Sequence, residues 1–363
     1  MTKNSLKNGP DELGYYGEGE SAMGGMAVGE TLMPALHELN LAFEDAIKDK
    51  AFLDEFAYYC KHYIGRPSPL YYAENLSNKL GGAKILFKQE HLNHTGSHKI
   101  TNSLFQVLLA KRMGKKNLIC ESGAGQHYSA TAAVAAKFGI PLIGVMGEVD
   151  IKRVNQNIIK AKHYGAKLKA VPGTLKEAIT DAIKTWITNP DYYYVCGSAV
   201  SSFPFPKIVQ FAQSIIGREI REQCLEQEKK LPNMIIGCVG GGSNFIGSIH
   251  EFLDETSIKK IGVEAAETAA LTHGTPNIMQ GMKSYMLASS DGSKSLGGSS
   301  LGAGIQYFGV GPQHSYLKDQ GAVTYTSATD KEILNAYKVV AQSEGISSAL
   351  EPMAAAAEVL KQA

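Results

Sequence analysis

Residue types and spacing suited to chemistry first occur together at Asn93-His94-Thr95-Gly96-Ser97-His98-Lys99, just ahead of a segment whose apolar period predicts a helix from about Ile100. An ammonium at a helix start is opposed by the dipole there, and removal from water disfavours its charge further. Both effects favour the neutral amine that attacks carbonyls and forms Schiff bases, so Lys99 is a candidate nucleophile. With 36 basic residues in the chain, an exposed helix lysine is the ordinary alternative. A second place is Cys238-Val239-Gly240-Gly241-Gly242-Ser243-Asn244. Three glycines between a strand and a helix let backbone N–H groups approach an anion of phosphate size without side-chain interference. The spacing matches neither the P-loop nor GxGxxG, which argues against ATP and NAD, and a triple glycine is as often a plain turn.

The elements that must position these residues follow from the hydrophobic period. From residue 83 short apolar runs alternate with longer amphipathic ones. Strands are expected at 83–88, 117–120, 141–145, 167–171 and 192–195, and helices at 100–113, 127–138, 151–164 and 175–187. A long helix near 208–225 leads to a strand at 234–239, the glycine turn, another helix, a strand at 260–264 and two helices from Asp330 onward. This order predicts an α/β fold of two lobes, each an open, mostly parallel sheet flanked by helices, with both motifs at strand C-terminal ends where such sheets bind ligands. The boundaries expected are an N-terminal arm and helices over 1–60, a first lobe over 61–212 and a second over 213–363. Residues 284–311, rich in Ser and Gly, are long for a connection and read as a functional loop.

Thirty-six basic against 35 acidic residues give a formal charge of +1, so no strong field favours nucleic acid or a membrane surface, and small molecules are the expected partners. Hydrophobic residues make up 44% of the 363, enough for two cores. Five cysteines, odd in number and without CxxC spacing, read as reduced core thiols of a cytoplasmic protein. The polar, Gly-rich beginning lacks a signal-peptide pattern, and no apolar run approaches the roughly 20 residues of a membrane helix.

His-Thr-Gly-Ser-His-Lys-Ile-Thr-Asn around Lys99 resembles the cofactor-lysine segment of tryptophan synthase β subunits, which are fold-type II pyridoxal-phosphate enzymes. Gly240 to Asn244 resembles their phosphate cup. The likeness runs from Gly29-Glu30-Thr31-Leu32-Met33-Pro34-Ala35-Leu36 to Gly345-Ile346 and Ala349-Leu350-Glu351, nearly the whole chain. It includes Glu121-Ser122-Gly123-Ala124-Gly125-Gln126-His127, where small residues opening a helix can wrap an anion and an enclosed carboxylate can have a raised pKa. The resemblance implies pyridoxal 5'-phosphate in the cleft between the lobes, bound through Lys99, and a carbon–oxygen lyase joining L-serine to indole by β-replacement in tryptophan biosynthesis. It implies Glu121 as acid–base residue, and residues 122–127 with Arg153 as the substrate-binding set. His98 is implied near the phosphate, Gln126 and Ser198 near the ring, and Glu351 near its hydroxyl. His98 as a core histidine and Ser198 as a turn cap are the alternatives. A homodimer, a tryptophan synthase α subunit as partner, a mobile subdomain over about 114–200 and a monovalent cation on the carbonyls of Gly240, Tyr307 and Gly309 are implied likewise.

Departures from the family also stand in the sequence. Its Arg–Asp closure pair keeps Arg153, but the motif resembling Ala-Gly-Leu-Asp reads Ala303-Gly304-Ile305-Gln306, turning a charge-assisted bond into one about half as strong. A Gly-Pro-His-Pro turn reads Ser201-Ser202-Phe203-Pro204, and the aromatic pair of the indole tunnel reads Met279-Gln280. The sequence ends at Ala363, before the family's final strand and Ser-Gly-Arg-Gly-Asp turn, so no partner for the pyridine nitrogen is assigned. Three other readings stay open: another nucleophile, serine deamination, and a catalytically weak regulatory or binding subunit.

Overall fold

Helix and strand alternate as the hydrophobic period demands, and the computed structural model, which describes residues 5–289 and 295–363, sorts them into two units. One comprises Gly29–Ser68 and Glu90–Gly197; the other comprises Met1–Val28, Pro69–Gln89 and Ser198–Ala363.

In the first unit four parallel strands lie in the order Lys167–Val171, Leu142–Gly147, Asn117–Glu121, Tyr192–Tyr194. Asn117–Glu121 is central and ends with Glu121 opposite Val145. The helix Lys99–Arg112 is buried without interruption from Ile100 to Ala110, so it is a core element rather than an amphipathic cover. Phe105 sits among Phe43, Phe52 and Phe56 at ring separations of 6.0, 5.5 and 5.2 Å, all edge-on. Each buried phenylalanine contributes about 1.5–3 kcal/mol, so this nest anchors the helix that begins with Lys99.

In the second unit three parallel strands run in the order Thr324–Ala328, Lys259–Ala265, Met234–Cys238. One core cluster gathers around Phe245, Ile249 and Phe252, another around Ile261, Val263, Ile333 and Met353. The helix Asp330–Glu344 opens on a capping box between Thr329 and Glu332 and stops at Gly345, whose φ of +66° suits glycine.

This unit also carries antiparallel structure absent from the expected ladder. Tyr15–Tyr16, Met23–Gly24, Met282–Met286 and Thr275–Met279 form a four-stranded sheet, and Leu70–Tyr72 pairs with Leu86–Lys88. Strands of two or three residues leave no readable period. The hairpin turn Gln280-Gly281 has φ of +47° and +77°, the signature of a type I′ turn, but carries glutamine where asparagine would have announced it.

The strand expected over 83–88 pairs only over Leu86–Lys88. The helix expected over 151–164 is two pieces, Glu148–Ile151 and Asn155–His163, parted where Val154 leaves helical geometry. The one expected over 208–225 becomes Phe205–Gln213 and Ile215–Glu228. At the junction the Ser214 hydroxyl donates to the Gln210 carbonyl at 2.7 Å, the back-bonding that bends helices. Of the loop expected at 284–311, the first residues complete the strand Met282–Met286, Ala303–Ile305 is a 3-10 turn, and 290–294 lie outside the described residues. All five cysteines are buried. Among the described residues no helix is long and apolar enough to cross a membrane.

Candidate active site

The turn after the strand Tyr192–Tyr194 brings two of the sequence-selected residues to one place. Gly197 offers its carbonyl to Lys99 Nζ at 3.4 Å and its N–H to Glu121 Oε1 at 3.1 Å. Carbonyl and amide of one residue thus hold an amine and a carboxylate side by side. Glu121 is buried, and desolvation pushes it up to about 7 despite the opposing effects of the Tyr194 hydroxyl, the Gly197 N–H and the Lys99 charge. Its Oε2 has no hydrogen-bond partner among the described residues. A carboxyl group poised near neutrality beside a lysine can exchange protons with a bound molecule at physiological pH.

Residues 122–127 carry backbone donors in a specific arrangement. The Ser122 N–H is committed to the Val145 carbonyl at 3.1 Å, so the donors proposed for an anion begin after it. Asn157 Nδ2 holds the Ala124 carbonyl at 2.9 Å, which turns the N–H of Gly125 the opposite way. Gly125 has φ +76°, and a Cβ there would come within 2.8 Å of Asn157. The His127 side chain belongs to the core, with Nε2 at 2.8 Å from Val195 O, and burial with the Lys99 charge pushes it down to about 3. Gln126 Oε1 is buried with no hydrogen-bond partner among the described residues. His98 is part-buried and held well below the usual histidine range by desolvation, with Lys99 and Arg66 adding repulsion. Arg153 is exposed after the short helix, its N–H on the Asp150 carbonyl at 3.0 Å.

The glycine turn lies in the second unit, between Met234–Cys238 and the helix Ser243–Ile249. Every one of its glycines is required by close approach: a Cβ would meet Gly304 O at 2.7 Å from Gly240, Ser198 Oγ at 1.9 Å from Gly241 and the His314 ring at 2.2 Å from Gly242. Asn244 turns its side chain back to the Cys238 carbonyl at 3.0 Å, leaving its backbone as the part that can face a ligand. Ser198 Oγ accepts from the Val200 N–H at 3.2 Å, the capping contact that was its ordinary alternative, while lying against Gly241. Glu351 accepts from the Gly304 N–H at 2.7 Å. Gly309 packs under Met279. No cluster of three His, Cys, Asp or Glu suited to a metal occurs among the described residues.

Residues 62–363 match the family model of the pyridoxal-phosphate dependent enzymes. The tryptophan synthase beta chain of Allorhizobium ampelinum is 48% identical over 372 aligned positions, spanning 99% of this chain and 90% of that one. The chain belongs to the tryptophan synthase β-chain family. An L-serine ammonia-lyase of the fungus Rhizomucor miehei shares the fold, with a TM-score of 0.64 over 81% of this chain and 86% of its own, at 19% identity.

As a member of this family the chain has pyridoxal phosphate as its cofactor, and the residues present fit that group. Lys99 has an amine that could hold it, the glycine turn has no side chains to obstruct a phosphate, and two buried oxygens, Glu121 Oε2 and Gln126 Oε1, lack hydrogen-bond partners among the described residues. The family departures have definite contacts here. Gln306 donates to the Gly298 carbonyl at 2.9 Å. Gln280 Nε2 bonds the Tyr307 hydroxyl, and Met279 packs with Val200, Met282 and Met286 beside Tyr307 and Phe308.

Several residues of this site were not singled out from sequence. Asn102 Nδ2 and Gln106 Nε2 both donate to the Cys196 carbonyl, at 2.8 and 2.7 Å, and the Cys196 N–H returns to Gln106 Oε1 at 3.0 Å. With Lys99 they occupy one stripe of a buried helix, a polar i, i+3, i+7 pattern that was the available signal. They hold the strand end that presents Gly197. A Cβ on Gly197 would lie 2.4 Å from the His127 ring. Gly197→Ala is therefore expected to lower stability by about 1–3 kcal/mol and to displace the carbonyl that receives Lys99. Denaturant melts, with cofactor affinity measured in parallel, check both effects.

Proposed function

We propose that the chain catalyses pyridoxal-phosphate-dependent β-replacement, L-serine plus indole giving L-tryptophan and water. The observation that carries this is the placement of Lys99 Nζ and Glu121 Oε1 on the carbonyl and N–H of one residue, Gly197, with Glu121 near neutrality. The identity to a tryptophan synthase beta chain supports the substrates. Lys99 is the residue that would hold the cofactor and the glycine turn is the candidate for its phosphate; when bound, the group would supply the electron sink for cleavage at the α- and β-carbons of serine. Lys99 takes the α-proton and returns it to the same carbon once the new bond to the acceptor has formed. Glu121 protonates the departing hydroxyl and later takes a proton from the acceptor. Backbone N–H groups from Gly123 onward hold the substrate carboxylate, and His98 and Gln126 line the cofactor. A homodimer, association with a tryptophan synthase α subunit and cytoplasmic residence belong to the same proposal.

The test is to incubate the cofactor-loaded protein with L-serine and indole and assay tryptophan and pyruvate. Tryptophan is expected as the main product. Pyruvate without tryptophan would instead support the deaminase reading, to which the neutral Gln306 in place of an aspartate points. A protein that takes up no cofactor would overturn both.

A further inference from the structure

We propose that His314 and Gly311 are positioning residues of the phosphate cup: by holding the carbonyls of Gly242 and Gly241 on one side of the turn, they aim the N–H groups of Ser243 and Gly242 at the cofactor phosphate. The proposal rests on the pyridoxal-phosphate reading above and adds to it the device that shapes the cup.

In a trans peptide the C=O and the following N–H point to opposite sides. Fixing one fixes the other. The Gly241 carbonyl accepts from the Gly311 N–H at 3.1 Å, and the Gly242 carbonyl lies 2.8 Å from His314 Nε2 while also accepting from Ile246 N at 2.9 Å. The N–H groups of Gly242 and Ser243 therefore face away from the 311–314 segment. Glycines adopt many conformations, so an unrestrained triple-glycine turn would lose entropy on each binding event; tying two successive carbonyls removes that freedom beforehand.

His314 is built for this task and for no charged one. It is fully buried, its ring lies parallel to Phe245 at 6.0 Å, and its Nδ1 is 2.8 Å from the Tyr325 hydroxyl. With the Gly242 carbonyl only an acceptor, Nε2 carries the hydrogen, and Nδ1 accepts from the Tyr325 O–H. One neutral tautomer satisfies all three groups, and burial pushes the imidazole down to about 4, keeping it uncharged. Gly242 at φ +93° leaves space for this ring where any Cβ would collide with it. Histidine and glycine, 72 residues apart in sequence, are fitted to each other.

The experiment strips cofactor from the purified enzyme and titrates it with pyridoxal phosphate and, separately, with pyridoxal, which lacks the phosphate. The visible band of the lysine-bound cofactor reports occupancy, and phosphorus NMR reports the environment of the bound phosphate. His314→Phe keeps an aromatic ring against Phe245 and removes the donor. It is expected to weaken pyridoxal phosphate by about 10- to 100-fold, the effect of misaimed hydrogen bonds to a charged group, and to leave pyridoxal unchanged. His314→Gln, which restores an N–H donor, should recover part of the loss. Tyr325→Phe, a smaller change, should give a loss of about 3- to 10-fold confined to the phosphorylated ligand and so provides the same readout if His314→Phe does not fold. Equal losses for both ligands, or none for pyridoxal phosphate, would overturn the proposal. A wild-type protein that shows no band with either ligand would overturn the pyridoxal-phosphate reading itself, a different result.

Discussion

Replacing Lys99 by alanine is expected to remove the visible band of bound cofactor and to lower tryptophan formation by about 10³-fold or more, with the fold intact. The scale follows from losing both the covalent tether and a positioned proton acceptor, which alone contributes about 10²–10⁴-fold. The fold should survive because Lys99 opens its helix and alanine is the best helix former. Nζ donates to Gly197 O at 3.4 Å, a bond lost with the side chain, whereas the backbone N–H keeps its 3.3 Å bond to Ser97 Oγ. The buried aromatic nest around Phe105 holds the rest of that helix. Absorbance of the purified variant, thermal melting and a product assay check the three parts. A retained band with retained activity would place the cofactor lysine elsewhere.

Glu121→Gln carries the second-largest effect, a fall in turnover of about 10²–10⁴-fold with cofactor still bound, since glutamine keeps the shape but neither releases nor accepts a proton. The same substitution makes a pH prediction whose sign follows from linkage. Burial raises Glu121 from an ordinary 4.5 to about 7, so between those values the folded protein holds a proton that the unfolded chain has released. Folding is then favoured by acid, and the penalty for a buried carboxylate builds as pH rises through this window, to about 3 kcal/mol above it. Glutamine escapes that penalty. Urea melts of the cofactor-free proteins should therefore show the variant gaining on wild type between pH 5 and pH 8. A difference that does not change with pH would mean that the carboxylate is solvated. In the Lys99→Ala single variant the Glu121 titration should move higher still, because the Lys99 charge is one of the groups that lower it.

Some of this site could be read locally and some could not. Lys99, the Glu121 segment and the glycine turn are contiguous motifs, each with its chemistry and its strand-to-helix setting within a few residues, and their family likeness supplied roles that spacing left open. Gly197 was not singled out, although it joins the two reactive side chains, because its partners lie 98 and 76 residues away. Nor were His314 and Tyr325, whose distance from the glycine turn hides their connection to it. Asn102 and Gln106 had a signal, a polar stripe in line with Lys99, that becomes meaningful only once the helix is known to be buried on every side.

The sequence by itself determined the βα alternation, the parallel sheets and the three motifs at strand ends, because hydrophobic period and glycine chemistry act over a few neighbours. Only the tertiary structure decided which N–H groups are aimed at a ligand and which are committed elsewhere, as with Ser122 against Gly125. It also decided that Glu121 titrates near neutrality, since desolvation depends on what packs around a carboxylate rather than on what precedes it in the chain.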